Sequence, residues 1–225
     1  MTPPVVALVP MRHTSERVPG KNYRPFAGRP LYRHIVDALL SSGAVDLIAL
    51  DTDSDVIMED AARHYPQARL IRRPEHLRAG TTSMNEVLMH DILQVEGEYF
   101  LQTHSTNPLL RPETVADAIH RFFAAYPGHD SLFSVTRLQE RLWDAQGRGI
   151  NHDPAVLLRT QDLPPVYLEN SCLYIFTRST LQARRNRIGE RPLFYEIDPV
   201  EAWDIDEELD FRIAEYLYRE RVDRR

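Results

Sequence analysis

Short apolar runs rich in β-branched residues alternate along this chain with longer stretches whose apolar positions recur every three or four residues. The runs fall at residues 5–9, 47–50, 68–71, 99–101 and 132–135, and the helical periodicity near 31–40, 55–64, 84–94 and 113–125. A run without polar alternation reads as a strand buried on both faces, and strands separated by single helices pair in parallel. The pattern predicts a three-layer α/β/α fold on a mostly parallel sheet. Local signals agree: Ser83-x-x-Glu86 has capping-box spacing, and Pro112 suits a first helical turn.

After Val135 the rhythm breaks. Residues 137–168 form a polar excursion holding Trp143, two glycines and Asn151-His152-Asp153-Pro154. A structureless loop of that length is uncommon inside a compact domain, so the segment is expected to contain a β-arm or to pack on a partner subunit. Strand character resumes at 172–176, and the closing segment 193–219 places Leu209, Ile213 and Leu217 at helical spacing.

Composition narrows the function classes. A chain of 225 residues can bury one good core, so residues 1–225 are read as a single domain. A formal net charge of −6 argues against general nucleic-acid binding, which needs a spread cationic surface. The single cysteine, Cys172, excludes an internal disulfide framework and reads as a core residue. No apolar run approaches the ~20 residues that span a bilayer, and the expectation is a cytoplasmic protein with no membrane partner.

In open α/β sheets ligands collect at the carboxyl ends of strands, and the polar clusters fall there. They are residues 12–22, Asp51-Thr52-Asp53, Arg72-Arg73-Pro74 and Gln102-Thr103-His104-Ser105-Thr106-Asn107. The first is the most informative, because strand 5–9 empties at once into a loop with Arg12, Arg17, Lys21, two hydroxyls and a Pro-Gly turn. Such a loop can offer backbone N–H groups and cations to several phosphate oxygens, with Lys21 a point charge where negative charge develops. A triphosphate is its natural guest; the plainer reading is a basic surface loop. The spacing is neither the P-loop nor the dinucleotide pattern.

A second constellation is Asp204-Ile205-Asp206. If extended, it points both carboxylates one way and turns Trp203 and Ile205 to the core. Paired carboxylates repel unless something positive lies between them, and Mg²⁺ answers that need. Helix capping by Asp206 is the other reading, and the two are compatible. Asp51 and Asp53 share the spacing, but Asp53 precedes a helix and is read as its cap.

With these motifs in order, the chain resembles the acylneuraminate cytidylyltransferases, or CMP-sialic acid synthetases, over nearly its whole length. The family's opening is matched by Pro10, Arg12, Ser15, Pro19, Lys21 and Asn22, and its Arg-Pro segment by Arg73, Pro74, Thr81 and Ser83. Its Leu-Gln strand end followed by Pro-Leu and Arg is matched by Leu101, Gln102, Pro108, Leu109 and Arg111. Its Arg-x-Gln-Asp-Leu-Pro and Asn segment is matched by Arg159, Gln161, Asp162, Leu163, Pro164 and Asn170, and its Asp-x-Asp by Asp204 and Asp206. The chain departs where the sialic acid enzymes carry Gly-Gly-Ser-Lys-Gly: here Glu16 replaces the lysine and Arg17 restores the charge, as in the KDO cytidylyltransferases. It departs again at Thr103–Asn107 and at Thr160, positions that touch the acceptor in the family.

The resemblance implies a nucleotide-diphospho-sugar transferase type of fold with residues 137–168 as a dimerisation arm, and a homodimer. It implies cytidylyl transfer: an acceptor oxygen attacks the α-phosphorus of CTP and pyrophosphate leaves. Mg²⁺ on Asp204 and Asp206 would neutralise phosphate charge. Arg12, Ser15, Arg17, Lys21 and Asn22 would hold the triphosphate, with Arg73, Thr81 and Ser83 beside cytosine and ribose. Catalysis would rest on Arg12, Lys21, Asp204 and Asp206. Gln102, His104, Arg159, Gln161 and Asn170 would place an acidic acceptor; His104 is also a candidate general base, although a hydrogen-bonding neighbour is the commoner role for such a residue. The expected acceptor is a sialic acid-like nonulosonate, with KDO or a small carboxylated phosphonate such as phosphonoformate as alternatives. A non-catalytic nucleotide sensor is the rival from another class.

Overall fold

A computed structural model describes residues 3–223. The sheet is built from β1 (Val5–Met11), β4 (Leu47–Thr52), β5 (Arg69–Arg72), β6 (Tyr99–Thr103), β7 (Ser131–Leu138), β8 (Val166–Thr177) and β9 (Pro192–Glu196), while β2 (Pro25–Phe26) and β3 (Arg29–Pro30) form a separate small hairpin. The order is β5-β4-β1-β6-β8-β7-β9, and only β8 runs antiparallel to its neighbours. The mostly parallel sheet is as the apolar runs predict.

Period-two alternation decides the layers. Val5, Ala7, Val9 and Met11 of β1 join one core with α1 (Leu31–Ser41), α2 (Asp55–His64) and α4 (Pro112–Ala125). Val6 and Leu8 turn to the opposite core, with α3 (Met84–Asp91) and α5 (Arg178–Arg184). Ser83 completes the expected capping box of α3, and Pro112 sits in the first turn of α4. Cys172 is buried in the first core.

A third apolar cluster positions the site. Val18, Phe26, Leu31, Leu109 and Ile205 pack with Phe211 and Ala214 of α6 (Glu208–Asp223). Val18 lies between Arg17 and Lys21, and Ile205 between Asp204 and Asp206. One cluster therefore anchors the cationic loop and the acidic pair together, each fully buried aliphatic side chain contributing about 1.5–3 kcal/mol.

Several local expectations are corrected. Ser54, not Asp53, caps α2: its side chain accepts from the Ile57 amide, while Asp53 accepts from the His13 amide at 2.6 Å. The segment from Leu193 begins as strand β9, paired in parallel with β7, and becomes helical only at Glu208. Leu209 is 65% exposed; the inward stripe of α6 runs through Phe211 and Ala214, with the expected Leu217 packed against it. The excursion after Val135 starts as an antiparallel ribbon, Val135–Leu138 against Val166–Glu169, with an outlying Trp143–Gly149 bridge. Neither α5 nor the β2–β3 hairpin is signalled by the sequence pattern.

Candidate functional site

A cavity of about 880 Å³ opens at the carboxyl ends of β1, β5 and β6. Ten residues singled out from the sequence line it: Arg12, Ser15, Arg17, Lys21, Asn22, Arg73, Thr81, His104, Asp204 and Asp206.

The loop after β1 is held by its own small groups. Asn22 is buried and donates to the Arg12 carbonyl at 2.7 Å, while Ser105 donates to the Asn22 side-chain oxygen at 2.7 Å. Gly20 supplies a left-handed backbone, φ +67°, where a Cβ would lie 2.9 Å from the Tyr23 ring. His13 stacks on that ring and meets Ser54 at 2.8 Å. Arg12 reaches across to Gly80, where an added Cβ would come within 3.1 Å of its guanidinium.

The acidic pair meets the loop directly. Arg17 donates to Asp206 at 2.5 Å, and Lys21 donates to the Ile205 carbonyl between the two carboxylates. Burial lowers the Lys21 pKa, against the attraction of Asp204 and Asp206. Burial also raises that of Asp204, and repulsion from Asp206 adds to it; a hydrogen bond from Thr106 and the charge of Lys21 oppose it. At the start of α6 the amides of Asp206 and Glu207 donate to the Asp210 carboxylate (3.1 and 2.8 Å), while the Asp206 carboxylate accepts from Arg17.

A divalent cation fits this donor set. Asp204 Oδ1 is buried without a hydrogen-bond partner, an open lone pair in a cavity whose lining also carries Arg12, Arg17 and Lys21. Among the described residues no group of three or more His, Cys, Asp or Glu could hold a metal, so an ion would rest on the two carboxylates and take further ligands from water and substrate.

Arg73 is buried and paired with Asp51 at 3.0 Å, which fixes its guanidinium at the cavity wall. The adjacent Asp91 carboxyl is pushed up by burial and by Asp51, so a carboxyl held protonated beside Asp51 leaves one negative charge facing Arg73.

The remaining sequence candidates lie outside the cavity lining. Ser83 is committed to capping α3. Asn170 holds the bulge between β7 and β8: its side chain accepts from Ser134 (2.6 Å) and from the Cys172 amide (3.2 Å) and donates to Thr136 (3.1 Å). Arg159 and Gln161 are exposed on the arm, with Arg159 bound to Asp162 at 2.7 Å. Gln102 is fully buried behind the wall, where it bridges His104 and Arg187.

Burial pushes the His104 pKa down to about 3, helped by the charges of Arg187 and Lys21, so the ring is neutral near pH 7. An arginine can only donate, so Gln102 must turn Oε1 to Arg187 and Nε2 to His104. His104 Nε2 is then the bare, accepting nitrogen and Nδ1 carries the proton. A base with its lone pair already occupied is poorly set to take a substrate proton, so the ring serves better as a donor.

Arg187 and Ser171 also line the cavity and were missed from the sequence. Arg187 lies beyond the short, unsignalled α5. Ser171 sits in the bulge at φ +57°, which no motif marks.

The family model described as cytidylyltransferase matches residues 6–223. An N-acylneuraminate cytidylyltransferase of Oncorhynchus mykiss is 29% identical over 94% of this chain and 49% of its own length. A CMP-N,N'-diacetyllegionaminic acid synthase of Legionella pneumophila subsp. pneumophila is 28% identical over 95% of each chain. The chain spans about half the length of several curated relatives it matches, among them the Oncorhynchus mykiss protein. A solved CMP:2-keto-3-deoxy-manno-octonic acid synthetase complexed with CTP superposes with a TM-score of 0.72 at 14% identity, over 97% of this chain and 99% of that one, and shares the fold.

Proposed function

Because the chain belongs to the cytidylyltransferase family, we propose that it transfers CMP from CTP to a small acidic acceptor and releases pyrophosphate. One observation carries the proposal: a single cavity brings Arg12, Arg17 and Lys21 of the β1 loop against Asp204 and Asp206, with Arg73 fixed on its wall. In line displacement at phosphorus leaves the protein mainly positioning and charge stabilisation.

Arg12 and Arg17 hold the triphosphate, and Lys21 meets the charge that grows on the departing pyrophosphate. Arg73, its orientation locked by Asp51, faces the base and ribose beside Thr81. Mg²⁺ on Asp204 and Asp206 would neutralise phosphate charge and favour approach of the acceptor oxygen. The Arg17–Asp206 pair is more than half exposed on both sides, so it can reopen cheaply when phosphate and cation arrive.

The acceptor class is a nonulosonate, KDO or a compact acid such as phosphonoformate. The proposal extends to a homodimer working in the cytoplasm. The arm carries Ile150, Val156 and Leu157 at 56%, 51% and 87% exposure, apolar surface of the kind that marks a protein contact. Arg159 and Gln161, outside this chain's own cavity lining, would reach an acceptor from a second copy. Among the described residues no helix is long and apolar enough to cross a membrane.

Pyrophosphate release with CTP and Mg²⁺, measured against N-acetylneuraminate, legionaminate, KDO and phosphonoformate, tests the proposal. Release with one acid identifies the acceptor; tight CTP binding without release from any of them would favour a sensor instead.

A further inference from the structure

Beyond the loop after β1 and the Asp51-bound Arg73, the described residues lining the cavity include one further cation, Arg187. Arg187 lies with its guanidinium carbon 3.5 Å from the Tyr174 ring centroid and donates to Gln102 Oε1 at 2.6 Å. Other enclosed arginines have stronger compensation: Arg73 has Asp51, Arg33 has Asp60, and Arg178 has three carbonyls. Among the described residues no carboxylate forms an ion pair with Arg187, since the nearby Glu169 accepts from the Tyr174 hydroxyl instead. A half-buried cation held by the Tyr174 ring and one neutral amide, with Glu169 acting on it without forming an ion pair, has lost more in hydration than its neighbours return, and an anion entering the cavity would supply a direct counter-charge.

Topology places this cation away from the triphosphate groups. Arg12, Arg73 and Thr81 belong to the β1–β5 side of the cavity, whereas His104, Ser171 and Arg187 stand at β6 and β8. The acidic pair spans the two sides: Ile205 donates to the Thr106 carbonyl after β6, and Asp206 meets Arg17 from the β1 loop. A group on the β6/β8 side thus sits across the acidic pair from the nucleotide.

We propose that Arg187 seats an acidic group of the acceptor, so that a carboxylate or phosphonate docks on its guanidinium beside His104, and that this residue sets acceptor choice. Gln102 acts through Arg187 as a positioning residue, holding the fork by its Oε1 and presenting His104 in the Nδ1–H form. The inference rests on the cytidylyl-transfer reading and names the acid receptor within it.

The test uses Arg187→Gln, Arg187→Lys and Gln102→Glu in the full chain, the last placing a carboxylate where it would occupy Arg187 internally. CTP binding is measured calorimetrically, and acceptor KM with N-acetylneuraminate, KDO and phosphonoformate. Loss of a charge-assisted contact is expected to raise acceptor KM about 10–100-fold in Arg187→Gln and Gln102→Glu, with CTP affinity changed less than about twofold. Arg187→Lys keeps the charge without the fork and should fall between. An unchanged acceptor KM, or a CTP affinity that falls by the same factor, would overturn the inference. If the wild type binds no CTP, the cytidylyl reading itself fails. Calorimetry with phosphonoformate alone then decides the acid site: binding lost in Arg187→Gln retains it, and no binding to the wild type removes it. Should Arg187→Gln not fold, the other two variants carry the same comparison.

Discussion

Replacing Gly20 by alanine isolates how the backbone of the loop after β1, proposed to hold the triphosphate, is kept in shape. At φ +67° an alanine incurs the left-handed penalty of about 1–2 kcal/mol, and its Cβ would also meet Tyr23 at 2.9, 3.0 and 3.1 Å. Tyr23 cannot swing away freely, because it stacks on His13, itself tied to Asp53 and Ser54. Overpacking of this kind adds about 1–2 kcal/mol. Gly43 provides the control: its φ is +64°, but nothing lies within 4 Å of its missing Cβ, so Gly43→Ala incurs only the backbone term. Gly20→Ala should therefore lose about 3 kcal/mol and roughly 6–12 °C in Tm, and exceed Gly43→Ala by at least about 1 kcal/mol. Because Lys21 and Arg17 flank the disturbed turn, CTP affinity should fall at least about tenfold in Gly20→Ala alone. Thermal unfolding followed by circular dichroism, with CTP titration of each variant, reads both. Equal destabilisation by the two substitutions with unchanged CTP affinity would refute the loop's role.

Further perturbations address other links. Lys21→Ala should lower kcat by ~10²–10³ with a smaller change in CTP affinity, and an effect confined to acceptor KM would remove its assignment. His34 is buried, donating from Nε2 to the Phe26 carbonyl with Arg29 at its other nitrogen, and burial pushes its pKa down to about 4. The unfolded chain therefore takes up the proton first as pH falls. Stability from the neutral ring is whole above about pH 6.5 and is lost toward pH 4, by up to about 3 kcal/mol. Urea midpoints should show that slope in the wild type and a flatter one in His34→Gln; parallel curves would contradict it. Arg178→Ala strips the carbonyls of Ile92, Val95 and Gly97 of one shared guanidinium and should cost about 3 kcal/mol in urea unfolding; a loss under about 1 kcal/mol would mean water replaces it. Leu157→Asp should shift a dimer toward monomer in sedimentation, whereas a wild type that is already monomeric would remove the arm's proposed role.

The strand-and-helix rhythm was legible because buried parallel strands carry a strong, local signal. The β1 run is a good example: alternate residues go to opposite cores, yet all are apolar. What stayed hidden depends on tertiary context. On α6 the Leu217 position is legible, but Leu209 looks as apolar as Phe211, and only packing against Phe26 and Ile205 selects between them. Asp53 and Ser54 are both good caps, and the choice fell to Ser54 because the His13 amide, distant in sequence, takes Asp53. At the site, the loop and the Asp-x-Asp pair were visible as contiguous motifs whose residues need only local geometry to converge. Arg187 was not, because its place over Tyr174 depends on a bulged strand and a short helix that leave no periodic trace.

The most direct test of the central claim is phosphorus NMR of CTP incubated with Mg²⁺, the protein and each candidate acid. The triphosphate signals should give way, with one acceptor only, to pyrophosphate and an equal amount of a CMP conjugate, a single new phosphodiester resonance for a sugar acid or the two coupled resonances of a mixed anhydride for phosphonoformate. Orthophosphate with CDP, or intact CTP under conditions where its binding is saturated with every acid, would contradict it.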